Sequence, residues 1–78
     1  MATRPLHPMP DDVAKALRGG RLRDDYDARP RYQRNDYIGW IIRAKSDATR
    51  RKRIGQMVSE LKTGGVYMGM THKPSAKR

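Results

Sequence analysis

The sequence predicts an all-α fold, a small bundle of two short and two longer helices with disordered N- and C-terminal tails. Three observations predict it. Apolar residues recur at helical spacing, most cleanly at Ile54, Met57, Val58 and Leu61, which stand at i, i+3, i+4 and i+7. A wide apolar arc runs from Tyr37 to Ala44. Helix stops fall between the periodic segments at Gly19-Gly20, Pro30 and Gly64-Gly65, leaving connections short enough for packed, mostly antiparallel neighbours. The expected organisation is a disordered leader over 1–9, a helical bundle over 10–65, and an apolar arm with a basic disordered tail over 66–78.

The leader has no apolar period, and Pro5, Pro8 and Pro10 interrupt it. The first short helix is expected from Pro10 to Arg18. Pro10 suits a first turn, and Asp11 and Asp12 put negative charge at the positive end of the helix dipole. Val13, Ala16 and Leu17 share one face, and Gly19-Gly20 offers the left-handed cap that ends the helix. A second short helix is expected over 22–28, with Leu22 and Tyr26 on one face and Pro30 beyond its end.

The third helix, over 32–45, is expected to be the centre of the molecule. Its arc of Tyr37, Ile38, Trp40, Ile41, Ile42 and Ala44 calls for contact from more than one side. Gly39 within it costs about 1 kcal/mol relative to alanine, a cost that close approach of a neighbouring backbone would offset. Ser46 is the N-cap candidate of a fourth helix reaching Thr63. The expected core is Leu17, Tyr26, Tyr37, Ile38, Trp40, Ile41, Ile54, Met57, Val58 and Leu61. The Val66–Met70 segment is either an arm across the bundle or mobile, and the tail from Thr71 onward is too polar to order itself.

Charge says more about partners than about fold. Eighteen basic residues, twelve of them arginine, face eight acidic ones, for a net charge of +10 in 78 residues. Such an imbalance favours anionic partners, whether nucleic acid, an anionic membrane or an acidic protein surface. Arginine suits bidentate contacts with carboxylate or phosphate. The chain lacks cysteine, which removes disulfides and thiolate metal sites and favours a reducing, cytoplasmic setting. No apolar run approaches the roughly 18 residues of a membrane span, and residues 1–10 lack the apolar stretch of a secretory signal.

The basic run Arg50-Arg51-Lys52-Arg53 spreads around about 300° of helix and cannot face one ligand. Arg50 and Arg53 are expected to lay their stems on the core edge and pair with carboxylates such as Asp36 or Asp24. Arg43, Lys45, Arg51 and Lys52 are freer. Together with Arg31, Tyr32 and Arg34, where an aromatic sits in a basic setting, they are the candidate anion- or nucleic-acid-binding residues. His7 and His72 fall in tails and do not converge as metal ligands. Asp24, Asp25 and Asp27 read as partners for nearby arginines, since the glycine and closing glutamate of a calcium loop are missing. No nucleophile–base grouping, phosphate-cradling glycine loop or cofactor motif is present, so neither an enzyme nor a cofactor is expected.

One family resemblance rests on particular residues. The run Asp36-Tyr37-Ile38-Gly39-Trp40-Ile41, followed by Ala44-Lys45, Thr49-Arg50 and Arg53-Ile54, resembles the pattern E-Y-V/I-x-W-I-x-x-A-K…T-R-x-x-R-I. That pattern marks the C-terminal helical module of the YdeI/OmpD-associated, or bacteriocin-protection, family. The resemblance extends over about Asp11 to Gly65 and implies a helical fold but no catalytic residues. Gly39 and Ile42 stand where the family usually has charged residues, and Ile42 is expected to make an extra apolar contact with the Val66–Met70 arm. The expected role is a non-enzymatic module that binds an acidic protein partner or other anionic surface, with nucleic-acid binding as the alternative.

Overall fold

The computed structural model describes residues 7–71; the expectations for the first six residues and for the tail from His72 onward lie outside them. Four helices, α1 (Asp11–Gly19), α2 (Arg23–Asp27), α3 (Arg31–Ile42) and α4 (Asp47–Thr63), are followed by a two-stranded hairpin, β1 (Val66–Tyr67) and β2 (Met70–Thr71). The fold is mostly helical, as the periodicity predicts. At 17 residues α4 is about 25 Å long, and it packs against α1, α2, α3 and β1. α4 thus shares the central place expected of α3, against which it packs and which also reaches the hairpin through Tyr32, Tyr37 and Asp36.

Local chemistry explains the boundaries. Pro10 is the cap of α1 rather than its first residue, with its carbonyl accepting from the Ala14 N–H at 3.0 Å. The same helix closes by a different residue from the one expected. Gly20 keeps a right-handed conformation, and Arg21 takes the left-handed one at φ 55°. The Leu22 N–H returns to the Leu17 carbonyl at 2.8 Å and the Arg21 N–H to the Arg18 carbonyl at 3.1 Å. This is a Schellman closure, and the buried pair Leu17 and Leu22 supplies its apolar contact. A Cβ at Gly20 would lie 3.0 Å from Leu22 Cδ1, so a larger residue there would require the leucine to shift.

Pro30 caps α3, and its carbonyl accepts from the N–H groups of Gln33 and Arg34. The helix ends at Ile42, three residues before the expected Lys45. Ser46 must be extended, at φ −130° and ψ 155°, so that its Oγ can accept the Thr49 N–H at 3.1 Å. The chain therefore leaves α3 early, and the Ala44 N–H folds back to the Ile41 carbonyl. Gly64, at φ 71°, releases α4 into the hairpin.

The core comprises Val13, Leu17, Leu22, Tyr26, Tyr37, Ile38, Ile41, Met57 and Leu61. Trp40, Ile54 and Val58, expected inside, are half-buried and pack on its edge, as do Met9, Tyr67 and Met68. The buried stripe of α3 runs Gln33–Tyr37–Ile41 at i, i+4, i+8 with Ile38 beside it. Trp40 lies about 100° from Ile41 on the helix, so only part of its ring meets the core. Ile42 lies about 100° to the other side and is 39% exposed. The arm does not reach it: Tyr67 packs edge-on to Tyr37 and Tyr32, over the opposite half of α3.

Candidate functional site

Three polar residues are built into the interior, and none was singled out from sequence. Arg29, Gln33 and Glu60 are each 6% exposed or less. The Arg29 guanidinium donates to Gln33 Oε1 at 3.2 Å, to the Val66 carbonyl at 2.7 Å and to the Glu60 carbonyl at 3.1 Å. The Glu60 carboxylate accepts the Tyr37 hydroxyl at 2.5 Å, the Met68 and Gly69 N–H groups at 2.8 and 2.7 Å, and Gln56 Nε2 at 3.1 Å. Glu60 thus ties the hairpin turn to α4 and α3. Met68 and Gly69 both have positive φ, at 50° and 79°, the conformation of a two-residue I′ turn. The carboxylate stands where their N–H groups converge. Burial, and then the Glu60 carboxylate, push the Tyr37 phenol well above the usual tyrosine range. Burial also raises Tyr26.

These contacts hold the fold rather than present chemistry to a ligand. Cations outnumber carboxylates on the surface, where Asp11, Asp12, Asp24, Asp27 and Asp47 are also exposed. Acidic side chains on α1, α2, α3 and α4 are engaged by other residues of the chain. Asp12 takes Arg50 Nε at 2.6 Å, Asp27 takes Arg23 Nε at 3.1 Å, Asp36 accepts the Tyr67 hydroxyl at 2.8 Å, and Glu60 is buried. Arg50 holds Asp12 below the usual carboxylate range, chiefly through their hydrogen bond. The partner of Arg50 is therefore on α1, and neither Asp36 nor Asp24 takes that part. Among the described residues no carboxylate pairs with Arg53, for which the sequence predicts Asp36 or Asp24. Its Nη1 donates to the Trp40 carbonyl at 2.6 Å, and its guanidinium stands 5.2 Å from the indole centroid.

The candidate anion-binding residues divide into two groups, separated by α3, whose 12 residues span about 18 Å. Arg43, Lys45, Arg51 and Lys52 are exposed around the α3–α4 corner, the first two in the connection and the others in the first turns of α4. Arg31 and Arg34 line a cleft at the other end of α3, with a volume of about 480 Å³. Tyr32 is 52% exposed but belongs to neither group. Its ring stands edge-on to Tyr67 at 6.0 Å, and its hydroxyl accepts from Gln33 Nε2.

His7 is placed by specific contacts. Its N–H donates to Asn35 Oδ1 at 2.8 Å, and its ring lies over Gly39, where a Cβ would be 2.9 Å from Nε2. The close neighbour of Gly39 is thus an imidazole and not a backbone. Among the described residues no group of three or more His, Cys, Asp or Glu could hold a metal ion, and no helix is long and apolar enough to cross a membrane.

The geometry accounts for the motif residues Tyr37, Trp40, Arg53 and Ile54, at the α3–α4 seam or packed on the core edge, and for Arg50, which ties α4 to α1. A family model described as bacteriocin-protection, YdeI or OmpD-associated matches residues 7–64. The chain belongs to this family. The match to the YdeI/OmpD-associated model starts at His7, which rests on Gly39, and ends at Gly64, where α4 closes. The hairpin lies just beyond it. Comparison with characterised proteins and with solved structures found no match.

Proposed function

We propose that this YdeI/OmpD-associated chain is a non-enzymatic binding module whose α3–α4 corner docks an acidic segment of a protein partner. The observation that carries this reading is the unequal fate of the charges. Asp12, Asp27, Asp36 and Glu60 are bonded to other side chains of the fold, while Arg43, Lys45, Arg51 and Lys52 stand exposed around the α3–α4 corner with Asp47 as the one carboxylate of the 43–52 segment. Four exposed cations within ten residues suit a short acidic stretch. Duplex DNA carries a charge every 1.7 Å along its axis and rewards a longer basic track. Arg50 and Arg53, which would extend the track, are turned to Asp12 and to Trp40.

The test is fluorescence anisotropy with a labelled oligoglutamate and a labelled DNA duplex of equal charge, each at about 50 and 200 mM salt. The acidic peptide should bind more tightly, and changing Arg43, Lys45, Arg51 and Lys52 together to glutamate should abolish its binding. Tighter binding of the duplex, with a log–log salt slope of about −0.9 per phosphate contacted, would establish the nucleic-acid reading instead.

A further inference from the structure

The cleft at the N-terminal end of α3 is distinct from the α3–α4 corner and has a different chemistry. Three guanidinium groups, from Arg23, Arg31 and Arg34, line it against one carboxylate, Asp27. Arg23 Nε is bonded to both oxygens of that carboxylate, at 3.1 and 3.3 Å. Arg31 and Arg34 are therefore the two cations in the lining that Asp27 does not balance. They stand three residues apart on α3 and so face the same way.

The cleft is built rather than incidental. Arg34 is half-buried, and its Nε–H is tied to the Arg29 carbonyl at 3.1 Å. A guanidinium has five N–H donors, so this anchor fixes the group while the four Nη–H bonds remain for other acceptors. The strap carrying His7 and Met9 forms a side wall. It is held by Asn35 Oδ1 at one end and by a 3.6 Å contact of Arg23 Nη1 with Met9 Sδ at the other. Tyr26 and Ile38 supply an apolar floor. The volume of about 480 Å³ lies within the range typical of small-molecule sites.

We propose that this cleft binds a small phosphate monoester. Two guanidinium forks at one helical turn match a dianionic group with three acceptor oxygens better than a carboxylate, which brings one charge and two oxygens. The floor and the Met9 wall then accommodate the ester group.

The experiment is an amide chemical-shift titration of the intact chain with phenyl phosphate, beside benzoate as a carboxylate of similar size. Saturable shifts should appear at Asn35, Arg31 and Met9, and benzoate should bind at least about tenfold more weakly. Arg31→Ala, a change at an exposed position, should weaken phenyl phosphate about tenfold or more. Arg34→Lys, which keeps the charge and loses the fork, should weaken it several-fold. Lys15→Ala, which removes one exposed charge on α1, should leave it within about twofold.

Four results would overturn the assignment. They are no saturation by about 10 mM, equal affinity for benzoate, an equal loss in Lys15→Ala, or shifts confined to the neighbouring cleft lined by Ala14, Arg18 and Arg21. None of these bears on oligoglutamate binding at the corner, so the two readings fail separately.

Discussion

Replacing Glu60 with alanine tests the polar girdle directly. The side chain accepts four donors, from Tyr37, Met68, Gly69 and Gln56. Gln56 is exposed and returns to water at little cost. Tyr37 is 0% exposed, so its hydroxyl stays stranded, at about 1–3 kcal/mol. The Met68 and Gly69 N–H groups lie in the turn and can regain water only if the hairpin lifts, which forfeits the packing of Tyr67 and Met68 on the core. The combined loss should be about 2–4 kcal/mol, less than the sum of separate bonds because relief of the carboxylate's own burial works the other way. A domain of 78 residues has about 4–12 kcal/mol in total, so the variant should remain folded but weak. Urea unfolding followed by circular dichroism should show a midpoint lower by roughly 2–4 M, taking a slope near 1 kcal/mol/M. Amide exchange at Met68 and Gly69 should approach that of free peptide. Glu60→Gln, which keeps one acceptor oxygen, should fall between the two proteins. An unchanged midpoint with Met68 and Gly69 still protected would show that the carboxylate does not hold the hairpin.

Other expectations follow from the same contacts. The Tyr37 and Tyr26 phenols are raised above their ordinary value of 10.0 in the folded chain. Their contribution is therefore whole below pH 10.0 and is lost as pH rises above it, while the unfolded chain releases these protons first. Stability measured from about pH 9 to 12 should fall steeply, and Tyr37→Phe should flatten that fall. Gly39→Ala should gain up to about 1 kcal/mol from helix propensity while displacing the His7 ring, so the Asn35 side-chain and His7 resonances should move even if the melting temperature holds or rises. Unmoved His7 signals would mean the strap does not rest on Gly39. Trp40→Ala should cost about 2 kcal/mol by thermal or urea unfolding, below the ~3–5 typical of a fully buried aromatic, because the ring is only half inside. A loss above about 4 kcal/mol would place the indole in the core proper.

Much of the bundle was legible in the chain. The Ile54–Met57–Val58–Leu61 spacing marked α4, and Ser46 caps it as its residue type implies. The motif around Tyr37 and Trp40 pointed to the right family, whose model matches residues 7–64. The hairpin was not legible as one, since two-residue strands are too short to alternate and Met68-Gly69 lacks the usual Asn or Asp of its turn. The Glu60 site had one visible signal, the chain's single glutamate near the end of α4, but nothing local showed that this carboxylate points inward.

The residues by themselves determined where helices start and stop and which of their faces are apolar, because caps, glycine pairs and 3.6-residue periodicity act within a few positions. Only the folded chain decided which charges are consumed and which remain. Arg50 meets Asp12 from 38 positions away, Arg29 reaches Val66 across 37, and His7 settles beside Asn35 across 28. Such pairings depend on how α1, α4, the strap and the hairpin are brought together in space. They separate Arg31 and Arg34 at one end of α3 from Arg43, Lys45, Arg51 and Lys52 at the other.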